Sequence, residues 1–309
     1  MDTPTDYGQN MSTREDVRIW AEGEQIAAYL YGPETGATAD AGRPCVVMAH
    51  GFSATRDDGL PAYAEAFQAA GYFVVVFDYR HFGASTGQPR QLLDIGRQHA
   101  DYHTVVDWAR RLEGVDPDRI VVWGSSFSGG HVLAVAAGDP RIAAVISQAP
   151  FTDALPTLRE VPPRTAAALT VAGIRDQIHA WRRRPAVLRP AVGDPGAVAA
   201  MTSPDAKAGF EAIVGPNSLW RNEFAARLML RFPFYRPGTK TAGLRMPVLI
   251  CVCDRDTVTP PASTIKAAQR APRGELCHYP YGHFDIYLDP QAKADQLAFL
   301  HRVFGDVAA

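Results

Sequence analysis

Arg119-Ile-Val-Val-Trp-Gly124-Ser125-Ser126-Phe127-Ser128-Gly129-Gly130-His131-Val132 is an apolar run that passes directly into small residues and then into a helix-forming stretch. A strand followed at once by G-x-S-x and a helix is the setting in which a serine is held on a tight turn with its hydroxyl exposed. The turn strains the backbone, and the residues two before and two after the serine must be small or they collide. Gly124 and Ser128 bracket Ser126 in this frame, with Ser128 where a second glycine is usual. A shifted frame, 126–130, would bracket Ser128 instead. We favour Ser126, because the nucleophile follows the strand end almost immediately; Ser128 then opens the helix, where a small polar residue caps well. No lysine follows the glycines, so a phosphate-binding loop fits poorly.

Outward from this point, short apolar runs alternate with helical stretches. Residues 16–20 and 25–31 alternate around A-E-G-E and read as a hairpin. Strands are expected at 44–50, 73–78, 120–123 and 142–147, with helices at 60–70, 96–112 and 128–137. Continuous apolar strands separated by helices imply a mostly parallel sheet covered on both faces. The alternation stops over residues 151–244, which contain helical patches at 165–181, 205–214 and 221–232 and no convincing strand. It resumes with a strand at 247–252, a helix near 262–270, a strand at 275–279 and a helix at 291–304. The organisation is therefore an α/β core, 1–150 and 245–309, with a helical insertion at 151–244, far longer than an ordinary loop.

Composition sets the boundaries of this reading. The 309 residues are 47% hydrophobic and 21% charged, as in ordinary globular chains. With 31 Lys+Arg against 33 Asp+Glu, the net charge of −2 provides no global field for nucleic acid or an acidic membrane. No apolar run reaches the roughly 20 residues of a membrane span, and MDTPTDYGQN lacks a basic start or apolar segment, so a cytoplasmic enzyme is expected. The four cysteines, Cys45, Cys251, Cys253 and Cys277, have no zinc-type spacing and read as small core residues or unpaired thiols.

A serine nucleophile needs a base and an orienting acid. In a fold that holds the serine on a strand-to-helix turn of this kind, they follow it in the order Asp/Glu, then His. Cys253-Asp254-Arg255-Asp256-Thr257-Val258-Thr259-Pro260 follows the penultimate strand, and Tyr281-Gly282-His283-Phe284-Asp285 follows the last. Both lie at the carboxyl ends of parallel strands, where open α/β sheets place ligands. Asp256 is preferred to Asp254 because it lies deeper in its loop. His283 is preferred to His278, which lies inside the strand, and Asp285 comes after the histidine. An oxyanion needs backbone N–H donors. Phe127, next to the nucleophile, supplies one, and Phe52 in His50-Gly51-Phe52-Ser53 the other, with His50 holding the loop.

These residues together resemble the α/β-hydrolase superfamily, over about residues 17–304. The resemblance rests on M-A-H-G-F at 48–52, F-D-Y-R-H-F-G-A-S at 77–85, the turn at Ser126, D-R-D-T-V-T-P at 254–260 and G-H-F-D at 282–285. It implies a Ser126–Asp256–His283 triad, a parallel sheet of about eight strands and a cap between the sixth and seventh. Within the superfamily the chain is similar to bacterial serine esterases and to relatives of X-Pro dipeptidyl peptidases and polyketide acyltransferases.

Two other constellations read as plain surface. His99 and His103 have metal-pair spacing on a helix but lack the glutamate and a third ligand. Arg182-Arg183-Arg184 reads as a solvated face. The aromatic-rich insertion is expected to cap the site, with Trp220 and Phe224 as pocket residues on a helix beginning near 220. The expectation is a serine hydrolase acting on a carboxylic ester or thioester of a medium-sized, mainly apolar small molecule. It needs no metal or cofactor and no nucleic-acid or membrane partner. Acyl transfer or amide hydrolysis through the same residues is the alternative, and a non-catalytic binding module the rival from another class.

Overall fold

The computed structural model describes residues 14–33 and 42–307; the polar N-terminus read above lies outside them. The paired alternating runs form the antiparallel strands β1 (Arg14–Ala21) and β2 (Glu24–Tyr31), joined at Glu22-Gly23, both with positive φ. The apolar runs become β3 (Arg43–Ala49), β4 (Phe73–Phe77), β5 (Val115–Ser125) and β6 (Ala144–Gln148). Two tiny strands, β7 (Leu188–Arg189) and β8 (Phe224–Ala225), lie in the insertion, and β9 (Val248–Cys253) and β10 (Gly274–Tyr279) follow it.

Eight strands make one sheet in the order β1-β2-β4-β3-β5-β6-β9-β10. Only the pairings of β1 with β2 and of β2 with β4 are antiparallel. Every residue of β3, β6 and β9 is buried, as a sheet covered on both faces requires. The period of two sends Cys45, Val47 and Ala49 to one core layer and Val46 and Met48 to the other. Helices α2 (Ile95–Ala109) and α3 (Phe127–Gly138) fill the first layer, and α1 (Pro61–Ala69) and α8 (Pro290–Phe304) the second.

The chain between β6 and β9 holds α4 (Ala154–Glu160), α5 (Pro163–Trp181) and α6 (Ala206–Ile213). The helix expected over 221–232 is absent. Asn222 accepts from Val192 N at 2.8 Å and donates to Val192 O at 2.9 Å, which holds the chain extended. β8 then pairs with β7, and short 3-10 turns, Ala226–Leu230 and Phe232–Phe234, follow where Pro233 interrupts. The buried Asp176 carboxylate gathers this region, accepting from Val187 N and from Arg227 N, Nε and Nη2. Ser53 donates to Glu223 O at 2.6 Å and Gln91 to Arg221 O at 3.3 Å, so the insertion is fastened to the core beside β3. Among the described residues no helix is long and apolar enough to cross a membrane. The four cysteines are free thiols, three of them buried.

Candidate active site

β5 ends at Ser125, and the chain turns through Ser126 at φ 57°, ψ −120°, a conformation that L-residues rarely adopt. The crowding behind the turn explains its small residues. A Cβ on Gly124 would lie 2.3 Å from Ser128 O, and one on Gly130 would lie 2.2 Å from Phe151 O. Ser126 N donates to Gln148 O and Phe151 N to Ser126 O, so the end of β6 and the chain just beyond it brace the strained residue. Ser128 faces the interior, with Oγ 2.8 Å from both Tyr79 Oη and Tyr102 Oη. Tyr102 donates to Trp123 O, so Ser128 donates to Tyr102 and accepts from Tyr79. A serine is accommodated in place of glycine because two tyrosines bind its hydroxyl.

The other two members of the expected constellation meet Ser126. His283 Nε2 is 2.8 Å from Ser126 Oγ, and Nδ1 is 2.7 Å from Asp256 Oδ2. Asp256 Oδ1 accepts from Val258 N and Thr259 N, and Oδ2 also accepts from Thr259 Oγ1 at 2.8 Å. These bonds orient the carboxylate, which turns Nδ1–H toward itself and leaves the Nε2 lone pair facing the serine. All three side chains are buried. A hydroxyl, imidazole and carboxylate in this order can deprotonate the hydroxyl as it attacks a carbonyl. Asp254 is elsewhere, exposed and 2.7 Å from His278 Nδ1, and Asp285 accepts from Gly282 N.

Gly51 brings the loop after β3 against the turn: a Cβ there would lie 3.0 Å from Ser126 Cβ. Phe52 follows it, its ring 5.6 Å from that of Phe127. Phe127 is the first residue of α3, so its N–H has no intrahelical acceptor. His50 is fully buried, its Nδ1 2.9 Å from Gly51 O, and burial pushes its pKa down to about 4. It is a neutral ring that holds the loop.

A cavity of about 420 Å³ opens on Ser126. Core residues Phe52, Phe127 and Thr259 line one side, and Leu158, Leu169 and Met229 of the insertion the other. Trp220 and Phe224, expected in the pocket, do not line it. Phe224 is fully buried behind Phe52 with ring centroids 5.1 Å apart, and Trp220 stacks on Phe210 at 4.7 Å. Without the expected helix, the segment runs behind the cavity wall rather than along it.

His99 also departs from its surface reading. Its Nε2 lies 3.1 Å from His131 Nδ1 and 3.2 Å from Tyr235 Oη. Tyr235 bonds to His131 Nδ1, and His131 Nε2 to Gln98 Oε1 at 2.8 Å. This network lies beneath the Phe127 ring and joins α2, α3 and the insertion. Burial lowers the pKa of His99 to about 4 and holds that of His131 well below its usual value. Sequence reading missed it; the signal was His131, one helical turn beyond Phe127 on an otherwise apolar helix. Among the described residues no group of three or more His, Cys, Asp or Glu could hold a metal ion.

Comparison with known proteins places the chain among relatives of the same fold. Residues 22–161 match the family described as X-Pro dipeptidyl-peptidase (S15 family). The quorum-quenching protein AidA of Acinetobacter baumannii is 43% identical over 291 residues, 93% of this chain and 94% of that one. The polyketide transferase ATR5 of Stachybotrys chlorohalonatus is 35% identical over 60% of this chain and 59% of its own. The α/β-hydrolase GrgF of Penicillium superposes with a TM-score of 0.79 at 23% identity, covering 94% of this chain and 98% of that structure.

Proposed function

We infer the function from the premise that the chain belongs to the α/β-hydrolase superfamily and is an enzyme of its hydrolase and acyltransferase kind. We propose that it cleaves a carboxylic ester or thioester of a medium-sized, mainly apolar small molecule through an acyl-enzyme. The observation that carries this reading is the Asp256–His283–Ser126 hydrogen-bonded line ending on the 420 Å³ cavity.

In this mechanism Ser126 Oγ attacks the carbonyl carbon while His283 Nε2 takes the hydroxyl proton. Asp256, held by Thr259 and two backbone N–H groups, keeps the imidazole oriented and stabilises its cation. The N–H groups of Phe52 and Phe127 receive the developing oxyanion. His283 then gives the proton to the departing alcohol or thiol, and water, activated by the same ring, releases the acid. Each step moves one proton and needs no redox partner.

Acyl transfer is the second reading, supported by the relative named as a polyketide transferase and by the walls that the insertion adds around Ser126. An alcohol or amine would replace water in the last step. Fluorophosphonate labelling of Ser126, followed by product analysis of a thioester with and without an added acceptor, tests both. Absence of labelling would defeat the proposal; an acceptor adduct in excess of free acid would favour transfer.

A further inference from the structure

A second cavity, of about 410 Å³, lies on the other side of α4 from the catalytic one. Its walls are α4 and α7 (Pro261–Arg270), and its floor is the turn Pro237–Thr239. Gly238 permits that turn to lie flat, since a Cβ there would be 2.9 Å from Thr152 O. Four cations line the groove: Arg159, Arg236, Lys266 and Arg270. One carboxylate, Asp153, lines it too, and it accepts from two of the three Arg236 guanidinium nitrogens, Nε at 3.0 Å and Nη2 at 2.8 Å. Arg159, Lys266 and Arg270 have no carboxylate within ion-pair distance among the described residues. Lys266 and Arg270 are one helical turn apart on the α7 face that lines the groove. A concavity with three uncompensated positive charges is unusual on a chain of net charge −2.

We propose that this groove binds an organic anion carrying at least two phosphate groups. Guanidinium forks fit phosphate oxygens bidentately, and a terminal phosphate carries about −1.5 to −2 charges, so two phosphates match the three free cations. Leu155, Pro156 and Pro260 provide apolar wall for an organic body. The groove also has a route to the catalytic site. α4 presents Leu155 and Arg159 to it and Leu158 to the catalytic cavity, and Thr259 and Pro260 divide between the two in the same way. The anion comes either with the substrate, as the phosphate-bearing thiol of a coenzyme A thioester, or as a separate effector.

Calorimetric titration of the full chain with inorganic pyrophosphate and with coenzyme A tests the proposal. Saturable binding is expected, weakened by salt and reduced roughly tenfold by Lys266→Gln or Arg270→Gln, the equivalent of one charge-assisted hydrogen bond. Aryl-ester turnover, Ser126 labelling and melting temperature should be unchanged in these variants. If they also raise KM for an acyl-coenzyme A but not for the aryl ester, the phosphates are the substrate's own. If pyrophosphate binds as tightly as coenzyme A and KM is unmoved, the ligand is a separate effector. No saturable binding of either compound, or binding indifferent to both variants, overturns the proposal. Labelling of Ser126 is read separately, so failure of the catalytic reading and failure of this one are distinguishable.

Discussion

The Ser128 hydroxyl lies 2.8 Å from Tyr102 Oη, beneath the turn, while Ser126 Oγ lies 2.8 Å from His283 Nε2 above it. Two serines separated by one residue thus face opposite surroundings, because the strained φ of Ser126 ends the strand there and α3 begins at the next residue.

Ser126→Ala should abolish aryl-ester turnover and fluorophosphonate labelling. Ser128→Ala should retain most of both but melt earlier, since the Tyr79 hydroxyl loses its buried partner at a cost of about 1–3 kcal/mol. Parallel kinetics and melts check this; an inactive, stable Ser128→Ala would reverse the assignment.

Asp256→Asn should lower kcat by about four orders of magnitude, because the amide favours the wrong imidazole tautomer. His283→Ala should be comparably inactive. Asp254→Asn, at an exposed pair with His278, should remain near wild type. Equal losses at Asp254 and Asp256 would contradict the geometry.

Cavity variants should change selectivity. Leu158→Ala and Met229→Ala should shift the preference between short and bulky esters by roughly 10–200-fold, the effect of one apolar contact. Phe224→Ala should instead destabilise by about 3–5 kcal/mol, as for other buried phenylalanines, with the ester ranking unchanged. A graded ester panel with melts alongside separates the two; a changed ranking in Phe224→Ala would place it at the cavity.

Acid should destabilise the fold. The pKa values of His50 and His99 are pushed down to about 4 by burial, and that of His131 lies well below its usual value. Between pH 6.5 and 4 the unfolded chain therefore binds protons that the folded histidines refuse, so their stabilising contribution is lost as pH falls through that window. Burial also lowers His81, a fourth histidine, and it raises Asp58, Asp78 (to about 7) and Asp101 (to about 6), which pull the other way, three groups against four. Tm should fall on acidification across this range, and His99→Gln should flatten the dependence. A Tm that rises as the pH drops would show that the carboxylates dominate.

Much of the site was legible along the chain because each chemical residue immediately follows a strand. Strand ends in a parallel sheet converge on one edge, so order alone brings Ser126, Asp256 and His283 within reach. The run of apolar residues likewise specified the sheet, since burial on both faces leaves β9 apolar throughout and β3 and β6 apolar apart from Arg43, Ser147 and Gln148 at their ends. Residues 151–244 were not legible in this way. Their side chains are chosen by contacts with distant segments, and such contacts leave no local period. Asn222 reaches across to Val192, Asp176 to Arg227 and Tyr235 to His131, and these pairings turn an expected helix into a short strand, place Phe224 behind the cavity wall and draw His99 inward. Local propensity is worth a few tenths of a kcal/mol per residue, and a buried charge-assisted bond several times more. In the core of this protein the two agree, and the sequence alone determined the elements; in the insertion they conflict, and the tertiary contacts decided.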